Sequence, residues 1–198
     1  DVALDDPELA SQANVIIVGH GRFGQQVSQI MQAAGRSVTL IDINPQTIDL
    51  SGDFGFKVFY GDGTRVDLLK RAGGEDAQAI FFCIDDRYMT AESLMPVRET
   101  FPRTKLFVRA YGREQALLLM QDDGISIMRE LFESSIRMSA DALKYFGTDR
   151  AKIHDILLEF RRRDQSRLKA QFTSGDMHAG TRHSFGGDGS DDFPIADD

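Results

Sequence analysis

Short apolar runs rich in β-branched residues alternate with amphipathic stretches between residues 14 and 128. This pattern is typical of a β-α series that builds a parallel sheet covered on both faces. Six strands are predicted, at residues 15–18, 37–42, 57–60, 79–84, 105–110 and 125–128. Because crossovers between parallel strands are right-handed, the sequence predicts an α/β fold, a Rossmann-type doubly wound parallel sheet with strand order 3-2-1-4-5-6.

Glycine, proline and hydroxyl residues mark the predicted helix boundaries. Gly35 is expected to close the first helix, Asn44-Pro45 to open the second, and Thr64 to cap the third. Gly73-Gly74 is expected to end the third helix, and Pro102 falls just past the fourth. The first four crossovers therefore each have a signal of a separate helix.

After Met128 the pattern is helical alone. Apolar residues recur every three or four positions at Phe132, Ile136, Ala140 and Leu143, and a second stripe contains Ile153, Leu157, Phe160 and Leu168. A break at residues 147–149 separates the two C-terminal helices that these stripes predict. Their apolar sides must be buried, either on the domain's own surface or against a partner subunit.

Composition places the chain among soluble globular proteins, with 41% hydrophobic and 27% charged residues over 198 positions. No run approaches the roughly 20 consecutive apolar residues of a membrane span, and no secretion signal is present. The chain starts at Asp1 without a methionine, which indicates a segment of something longer. The single cysteine, Cys83, lies in an apolar run and is expected to be a small buried hydrophobe in a reducing compartment.

A net charge of −8 argues against a nucleic-acid partner. Residues 173–198 contain six aspartates, five glycines and one arginine, so most of this charge lies in a tail with too little apolar content to fold. The predicted organisation is an N-terminal linker at 1–13, the sheet domain at 14–128, a helical extension at 129–172, and a disordered acidic tail at 173–198.

The glycine-rich segment 19–24 follows the first strand directly and opens a helix, as the G-x-G-x-x-G motif requires. Gly19 would permit the tight turn, Gly21 the approach of a phosphate, and Gly24 close packing of helix on strand. The helix N-terminus would supply N–H groups and partial positive charge to a phosphate. The intervening His20, Arg22 and Phe23 belong to the predicted site, and we expect His20 to be exposed near the phosphates without a catalytic role.

Asp42 ends the second predicted strand, 18 residues after Gly24, where an acidic residue receives the two hydroxyls of an adenosine ribose. A carboxylate at this position repels a 2′-phosphate, so the predicted ligand is NAD(H) or an adenosine nucleotide such as AMP. Ile43 is included in the same site. The structural alternative is a glycine turn that merely joins a strand to a helix.

Two further segments follow predicted strands. The residues Gly61, Asp62, Gly63 and Thr64 face the same sheet edge and could contact the adenosine or cap the next helix. Asp85 and Asp86 could bind a cation, although they more simply begin the following helix.

The segments 15–24 and 57–65, together with Asp42 and the run 67–69, resemble the regulatory KTN (or RCK) domain of potassium transporters. Within that group the chain is most similar to the C-terminal domain of Kef-type glutathione-gated potassium efflux systems, over roughly residues 14–164. The K-V-F-Y-G-D-x-T-R segment carries this resemblance more specifically than the glycine motif, which all Rossmann proteins share.

The resemblance implies a homodimer in which the helix after the sixth strand reaches toward the partner. It implies AMP or NAD(H) at the glycine motif, and glutathione as a regulatory ligand whose bulky adducts open the efflux pathway. The partners implied are a membrane-embedded potassium/proton antiporter domain of the same chain and an ancillary soluble subunit. The location implied is the cytoplasmic face of the bacterial inner membrane.

Carried over by position, the glutathione pocket would contain Phe54 as an aromatic that moves for a bulky adduct, and Arg129 as the cation for a carboxylate. Gln29 stands where a basic residue is usual and Asp164 where an asparagine is usual, so both positions depart from the pattern. The structural alternatives are packing of Phe54 on the sheet edge and pairing of Arg129 with a nearby glutamate. The run 161–163, three arginines, reads as a solvated helix face.

Two other function classes compete with this one. An NAD-dependent oxidoreductase needs a substrate domain and a positioned acid or base, and few patterned residues remain after Met128 to form one. A Trk-type subunit that gates a potassium channel by nucleotide binding alone would keep the site and lose glutathione. We therefore predict a regulatory domain that is not an enzyme.

Overall fold

The computed structural model describes residues 14–45 and 56–180 of the chain. The strands are β1 (Asn14–Val18), β2 (Ser37–Asp42), β3 (Lys57–Tyr60), β4 (Ala77–Phe82), β5 (Lys105–Ala110) and β6 (Ile125–Arg129). The described helices are α1 (Arg22–Ala33), α2 (Val66–Arg71), α3 (Ala91–Thr100), α4 (Arg113–Leu119), α5 (Glu130–Tyr145) and α6 (Arg150–Ser174).

The six strands form one parallel sheet in the order β3-β2-β1-β4-β5-β6. This order confirms the predicted doubly wound topology. The strand order reverses between β1 and β4, and in open α/β sheets ligands bind at the carboxyl ends of the strands beside this reversal. A ligand site is therefore expected at the residues that follow β1 and β4.

Apolar residues cover both faces of the sheet around the central strands β1, β2 and β4. One core contains β-strand residues such as Ile16, Ile80 and Leu106, and it is covered by α2, α3 and α4. The opposite core contains Ile17 and Leu40 and is covered by α1. We call these the α2–α4 face and the α1 face. Successive side chains in a strand point to opposite faces. Strands β1, β2 and β4 therefore contribute buried residues to both cores, whereas β5 and β6 contribute to the core on the α2–α4 face alone.

Strand β4 begins and ends two residues earlier than the sequence predicted. It can start at Ala77 because an irregularity in register lets Asn14 pair with Ala77 and Val15 with Ala79. The apolar residues Cys83 and Ile84 already belong to the connection after the strand. They are apolar because they pack against the glycine turn that follows β1. The hydrophobic run continues through them without a break, so the end of the strand could not be located from the sequence.

Two predicted helix starts were also misplaced. The N-cap of α2 is Arg65, without a side-chain cap bond, so Thr64 does not cap this helix. The N-cap of α3 is Thr90, which forms a capping box with Ser93, so the helix starts later than the Asp85-Asp86 pair suggested. The helix predicted after Pro45 falls on residues outside the described part of the chain.

The chain divides into two compact units between Arg129 and Glu130. In the second unit α5 and α6 pack together, and the rings of Phe132 and Phe160 stack at 5.6 Å between centroids. Asp149 caps α6 by accepting the backbone N–H of Ala151 at 2.8 Å. The predicted helical pair and its break are thus confirmed, whereas the assignment of domain roles stays a prediction. Among the described helices, none is long and apolar enough to cross a membrane.

Candidate nucleotide-binding site

The turn between β1 and α1 lies at the reversal of strand order. Gly19 has φ +88°, and a Cβ at this position would lie 2.6 Å from Ile84 Cγ2, so a side chain is excluded by both conformation and space. Its backbone N–H donates to the Ile41 carbonyl at 2.8 Å. The turn is therefore tied to β2 on one side and packed against the chain leaving β4 on the other.

Gly21 and Gly24 serve different purposes. A Cβ at Gly24 would overlap the carbonyl oxygen of Gly19 and lie 3.4 Å from Cys83 Cβ, so glycine is required for α1 to begin against the turn. Gly21 has φ −71°, which any residue adopts, and a Cβ there would meet nothing within 4 Å. Because folding does not require glycine at position 21, the open space beside its backbone suits the approach of a ligand.

The first turn of α1 is polarised toward this open space. Its N-cap is Gly21, which has no side chain to cap the helix, and the first turn contains no acidic residue. Uncapped N–H groups and the helix dipole favour an anion at this end. The arrangement can bind a phosphate group.

Asp42 is held beside the glycine turn at the carboxyl end of β2. Its Oδ2 accepts the backbone N–H of His20 at 2.6 Å, and its Oδ1 accepts the backbone N–H of Asn44 at 2.7 Å. Each carboxylate oxygen has a further lone pair that can accept a ribose hydroxyl. The glycine turn and Asp42 thus lie together as the sequence predicted, with the carboxylate oriented before any ligand binds. Ile43, the next residue, is exposed at the same edge.

His20 is buried, with 7% of its surface exposed, so the expectation of an exposed side chain was wrong. Its Nε2 lies 3.1 Å from Ser28 Oγ, and its ring meets Phe56 edge-on. Burial lowers the pKa of His20 below its ordinary value, and the nearby Asp42 carboxylate opposes this effect. The buried ring therefore supports the turn through its contacts with Ser28 and Phe56. This burial could not be predicted from the sequence, because the contacts come from Ser28 on α1 and from Phe56, which precedes β3.

The second predicted segment, residues 61–64, is hydrogen-bonded to the end of β2. Gly61, at φ +140°, donates its N–H to the Asp42 carbonyl at 2.9 Å. Asp62 Oδ1 accepts both the backbone N–H and the hydroxyl of Thr64, at 2.9 and 2.7 Å. A Cβ at Gly63 would overlap the Val18 side chain. These bonds shape the loop, and a ligand contact for Asp62 or Thr64 stays a prediction.

One residue at this edge was missed by sequence reasoning. Arg109, near the end of β5, donates from Nη1 to the Cys83 carbonyl at 3.3 Å and lies 5.3 Å from the ring centroid of Phe23. Its Nη2 is 3.9 Å from Asp85 Oδ1. The available signal was an arginine between the buried residues Val108 and Ala110, near the carboxyl end of the strand, since charged residues are rarely buried without a partner.

The other groups near β4 are not arranged for chemistry. Asp86 Oδ1 accepts the backbone N–H of Tyr88 at 2.8 Å and thereby forms a turn before α3. Burial raises the pKa of the Cys83 thiol to about 12, so it stays protonated. This agrees with the prediction of a buried small hydrophobe. Within the described ranges, no group of three or more possible metal-binding side chains comes together.

The described residues of the predicted glutathione pocket lie on three different elements. Phe54 lies outside the described residues. Gln29 is exposed on α1, whereas Arg129 ends β6, where strand alternation puts it on the α2–α4 face with Ile127. Gln29 and Arg129 therefore belong to opposite faces of the sheet. Asp164 is a buried residue of α6 in the second unit. The pocket itself stays a prediction.

The three arginines at 161–163 form ion pairs along the helices. Arg161 donates to both carboxylate oxygens of Glu133 on α5, at 2.6 and 2.7 Å. Arg162 and Arg163 both donate to Glu159, and these bonds lower the pKa of Glu159 to about 2. Arg161 and Arg162 are exposed, as expected for the solvated helix face that the sequence indicated.

A doubly wound sheet with a glycine turn at its reversal point and a carboxylate at the end of the adjacent strand defines the class of Rossmann-type nucleotide-binding domains. The profile of the TrkA-N domain family matches residues 15–128 of this chain. The chain therefore belongs to the TrkA-N domain family, which confirms the resemblance that the motifs predicted.

The chain is 37% identical over 176 residues to a glutathione-regulated potassium-efflux system protein of Haemophilus influenzae. The match covers 87% of this chain and 28% of that protein, so the chain spans little more than a quarter of its relative.

Two solved structures are similar to this chain. The Kef C-terminal domain of Shewanella denitrificans in its AMP-bound form is 31% identical, with a TM-score of 0.71 over 81% of this chain and 99% of that one. The TrkA-N domain of the Escherichia coli inner membrane protein ybaL shares the fold, with a TM-score of 0.59, 17% identity, and coverage of 64% of this chain and 94% of that one.

Proposed function

We propose that this chain is the cytosolic regulatory domain of a glutathione-regulated potassium efflux system, and that it binds an adenosine nucleotide at the glycine turn. The observation that carries the nucleotide site is the pairing of open space at Gly21 with the Asp42 carboxylate fixed beside it. A phosphate at the α1 N-terminus and a ribose on Asp42 satisfy both features at once. The AMP bound by the Shewanella relative supports this assignment.

The proposed role is ligand sensing without catalysis. The candidates for chemistry near the turn are poorly suited to it, because His20 is buried under the backbone and the Cys83 thiol stays protonated. The names of the similar proteins also refer to potassium efflux. The partner would be a membrane-embedded potassium/proton antiporter domain of the same longer chain, at the cytoplasmic face of the bacterial inner membrane.

Glutathione and its S-conjugates are the proposed regulatory ligands. A ligand can shift an equilibrium between a closed and an open arrangement only by the difference in its affinity for the two. A bulky adduct that does not fit beside Phe54 would supply that difference, whereas glutathione itself would stabilise the closed arrangement. Arg129 would hold a carboxylate of the ligand, since a guanidinium forms two parallel bonds with such a group.

A homodimer is proposed because α5 is apolar on two sides. Phe132 and Ile136 lie on the side that packs toward α6, whereas Leu131, Met138 and Tyr145 are exposed. These three recur every seven residues, about two helical turns, and so they line one side of the helix. A helix with two apolar sides needs a second covering surface, and a second copy of the chain would provide it.

The test is calorimetric titration of the purified chain with glutathione and with a bulky glutathione S-conjugate. We expect saturable binding of both, and at least about tenfold weaker binding by Arg129→Ala, because a charge-assisted bond contributes about 1.5–3 kcal/mol. Arg137→Ala is the matched control, because Arg137 is an exposed residue of α5 that pairs with Asp141.

Binding of AMP without binding of either glutathione compound would contradict the glutathione assignment. It would leave a nucleotide-sensing regulator of the Trk type.

A further inference from the structure

A buried glutamine joins the loops that follow β4 and β5. Gln115 lies in the first turn of α4 and is 6% exposed. Its Nε2 donates to the carbonyl of Asp86 at 2.6 Å and to that of Met89 at 3.4 Å, both in the loop after β4. Its Oε1 accepts the backbone N–H of Tyr111, directly after β5, at 2.9 Å. One side chain therefore binds two neighbouring loops at the carboxyl edge of the sheet.

These three hydrogen bonds require an uncharged amide at position 115. Two of the partners are carbonyls, which only accept, and the third is an N–H, which only donates. A carboxylate of the same shape has no donor for the carbonyls, and an apolar side chain of the same length has neither donor nor acceptor. Leaving buried backbone groups without partners is unfavourable. The positions of the two loops therefore depend on Gln115.

The loop after β4 also contacts the glycine turn after β1. The N–H of Cys83 donates to the Val18 carbonyl at 2.8 Å. Ile84 packs so closely on Gly19 that a Cβ added to this glycine would lie 2.6 Å from Ile84 Cγ2. The start of the loop is thus fixed to the glycine turn, two residues before the carbonyl of Asp86. Because two residues span at most about 7 Å, the two attachment points move together.

A second contact between the loops lies on the surface. The guanidinium of Arg87 stacks on the ring of Tyr111, 3.9 Å from its centroid, and both side chains are exposed. Cation–π contacts contribute less when they are exposed to water than when they are buried. The buried amide, with three hydrogen bonds, is therefore the stronger of these two links.

We propose that Gln115 is a positioning residue of the nucleotide site. It holds the loop after β4 against the glycine turn, and it thereby raises the affinity for the adenosine nucleotide without contacting the ligand. Asp42 supports the turn from the β2 side, and Gln115 acts from the β4 side, across the reversal of strand order. The proposal rests on the nucleotide-binding function proposed above.

The test is calorimetric titration of the full 198-residue chain with AMP, for the natural chain and for Gln115→Met. Methionine keeps the length of the side chain and removes all three hydrogen bonds. We expect the AMP dissociation constant to rise at least about fivefold, because the loop no longer holds the glycine turn in its binding geometry. Thermal unfolding of each variant establishes that it is folded at the temperature of the titration.

Thr104→Val is the matched control. The Thr104 hydroxyl is buried and donates to the Ala77 carbonyl at 2.9 Å, so this variant also removes a buried hydrogen bond to a backbone carbonyl. The bond lies where β4 and β5 begin, at the opposite edge of the sheet from the glycine turn. We expect a lower midpoint of thermal unfolding and an AMP affinity within about twofold of the natural chain.

Gln115→Glu gives a second readout, which depends on pH. A protonated glutamic acid can donate to the Asp86 carbonyl, whereas the carboxylate can only accept, from the Tyr111 N–H. The AMP dissociation constant of this variant is divided by that of the natural chain at the same pH, which cancels the titration of AMP itself. We expect the ratio to be at least about threefold smaller at about pH 6 than at about pH 8, because burial favours the protonated acid.

The outcomes are distinguishable. Unchanged AMP affinity in folded Gln115→Met, or an equal loss in Thr104→Val, would overturn the role of Gln115 and leave the nucleotide site standing. If Gln115→Met does not fold, the pH series of Gln115→Glu decides, and a ratio that stays constant would contradict the proposal. Absence of AMP binding by the natural chain would overturn the proposed nucleotide function as well.

Discussion

At the scale of single residues, the second and third glycines of the turn, Gly21 and Gly24, are required for different reasons. Gly24 is required by the protein itself, because a side chain would overlap the carbonyl oxygen of Gly19. Gly21 has an ordinary backbone conformation and empty space beside it. A substitution at Gly24 should therefore lower the stability of the fold, whereas a substitution at Gly21 should weaken ligand binding.

We expect Gly21→Ala to leave the free energy of unfolding nearly unchanged while AMP affinity falls about 10- to 100-fold, because a methyl group would displace the phosphate from the backbone N–H groups. Gly24→Ala should instead destabilise the fold by about 1–3 kcal/mol, as overpacking does. Denaturant unfolding and calorimetry on both variants check this. Equal stability loss in the two variants would show that Gly21 also serves packing.

The sequence predicted the relative positions of residues that depend on local structure, while their binding roles stay predictions. The glycine turn and Asp42 lie at strand ends, so a correct strand pattern brings them together. His20 and Arg109 depend on contacts between distant segments, with Ser28 and Phe56 in one case and with Phe23 and Cys83 in the other. No spacing along the chain encodes such contacts, which is why one was misjudged and the other missed.

At the scale of elements, strand β4 shows why an apolar run predicts that a strand exists more reliably than it predicts where the strand ends. The run continues through Cys83 and Ile84, which pack against the glycine turn after the strand has ended. Helix starts were similarly displaced because Asp62 and Asp86 form turns that look like caps in sequence. The six strands and the two C-terminal helices were predicted, since their apolar periodicity extends over many residues.

Helix α5 gives the prediction at this scale. Met138 is 76% exposed and central in the outer apolar line, so Met138→Glu should place a charge in the proposed dimer interface. We expect the dimer dissociation constant to rise at least about tenfold, as measured by sedimentation equilibrium. Lys144→Gln is the matched control, since it changes net charge equally on another side of the helix. A chain that is monomeric before substitution would contradict the dimer proposal.

At the scale of the whole molecule, the sheet order decides where function can reside. Alternating strands and helices predicted the order 3-2-1-4-5-6, and this order puts the turn after β1, the end of β2 and the loop after β4 at one edge. The arrangement of the second helical unit and the glutathione pocket could not be derived in this way. Helical stripes show that a surface must be covered and leave the covering partner undefined.

The most direct test of the central claim compares AMP with adenosine 2′,5′-bisphosphate, which differs by one phosphate on the ribose hydroxyl that Asp42 should receive. Calorimetric titration should show binding of AMP and at least about 100-fold weaker binding of the bisphosphate, since like charges brought together cost several kcal/mol. In Asp42→Asn this discrimination should shrink. Equal binding of both compounds by the natural chain would contradict an adenosine ribose on Asp42, and with it the account of the site.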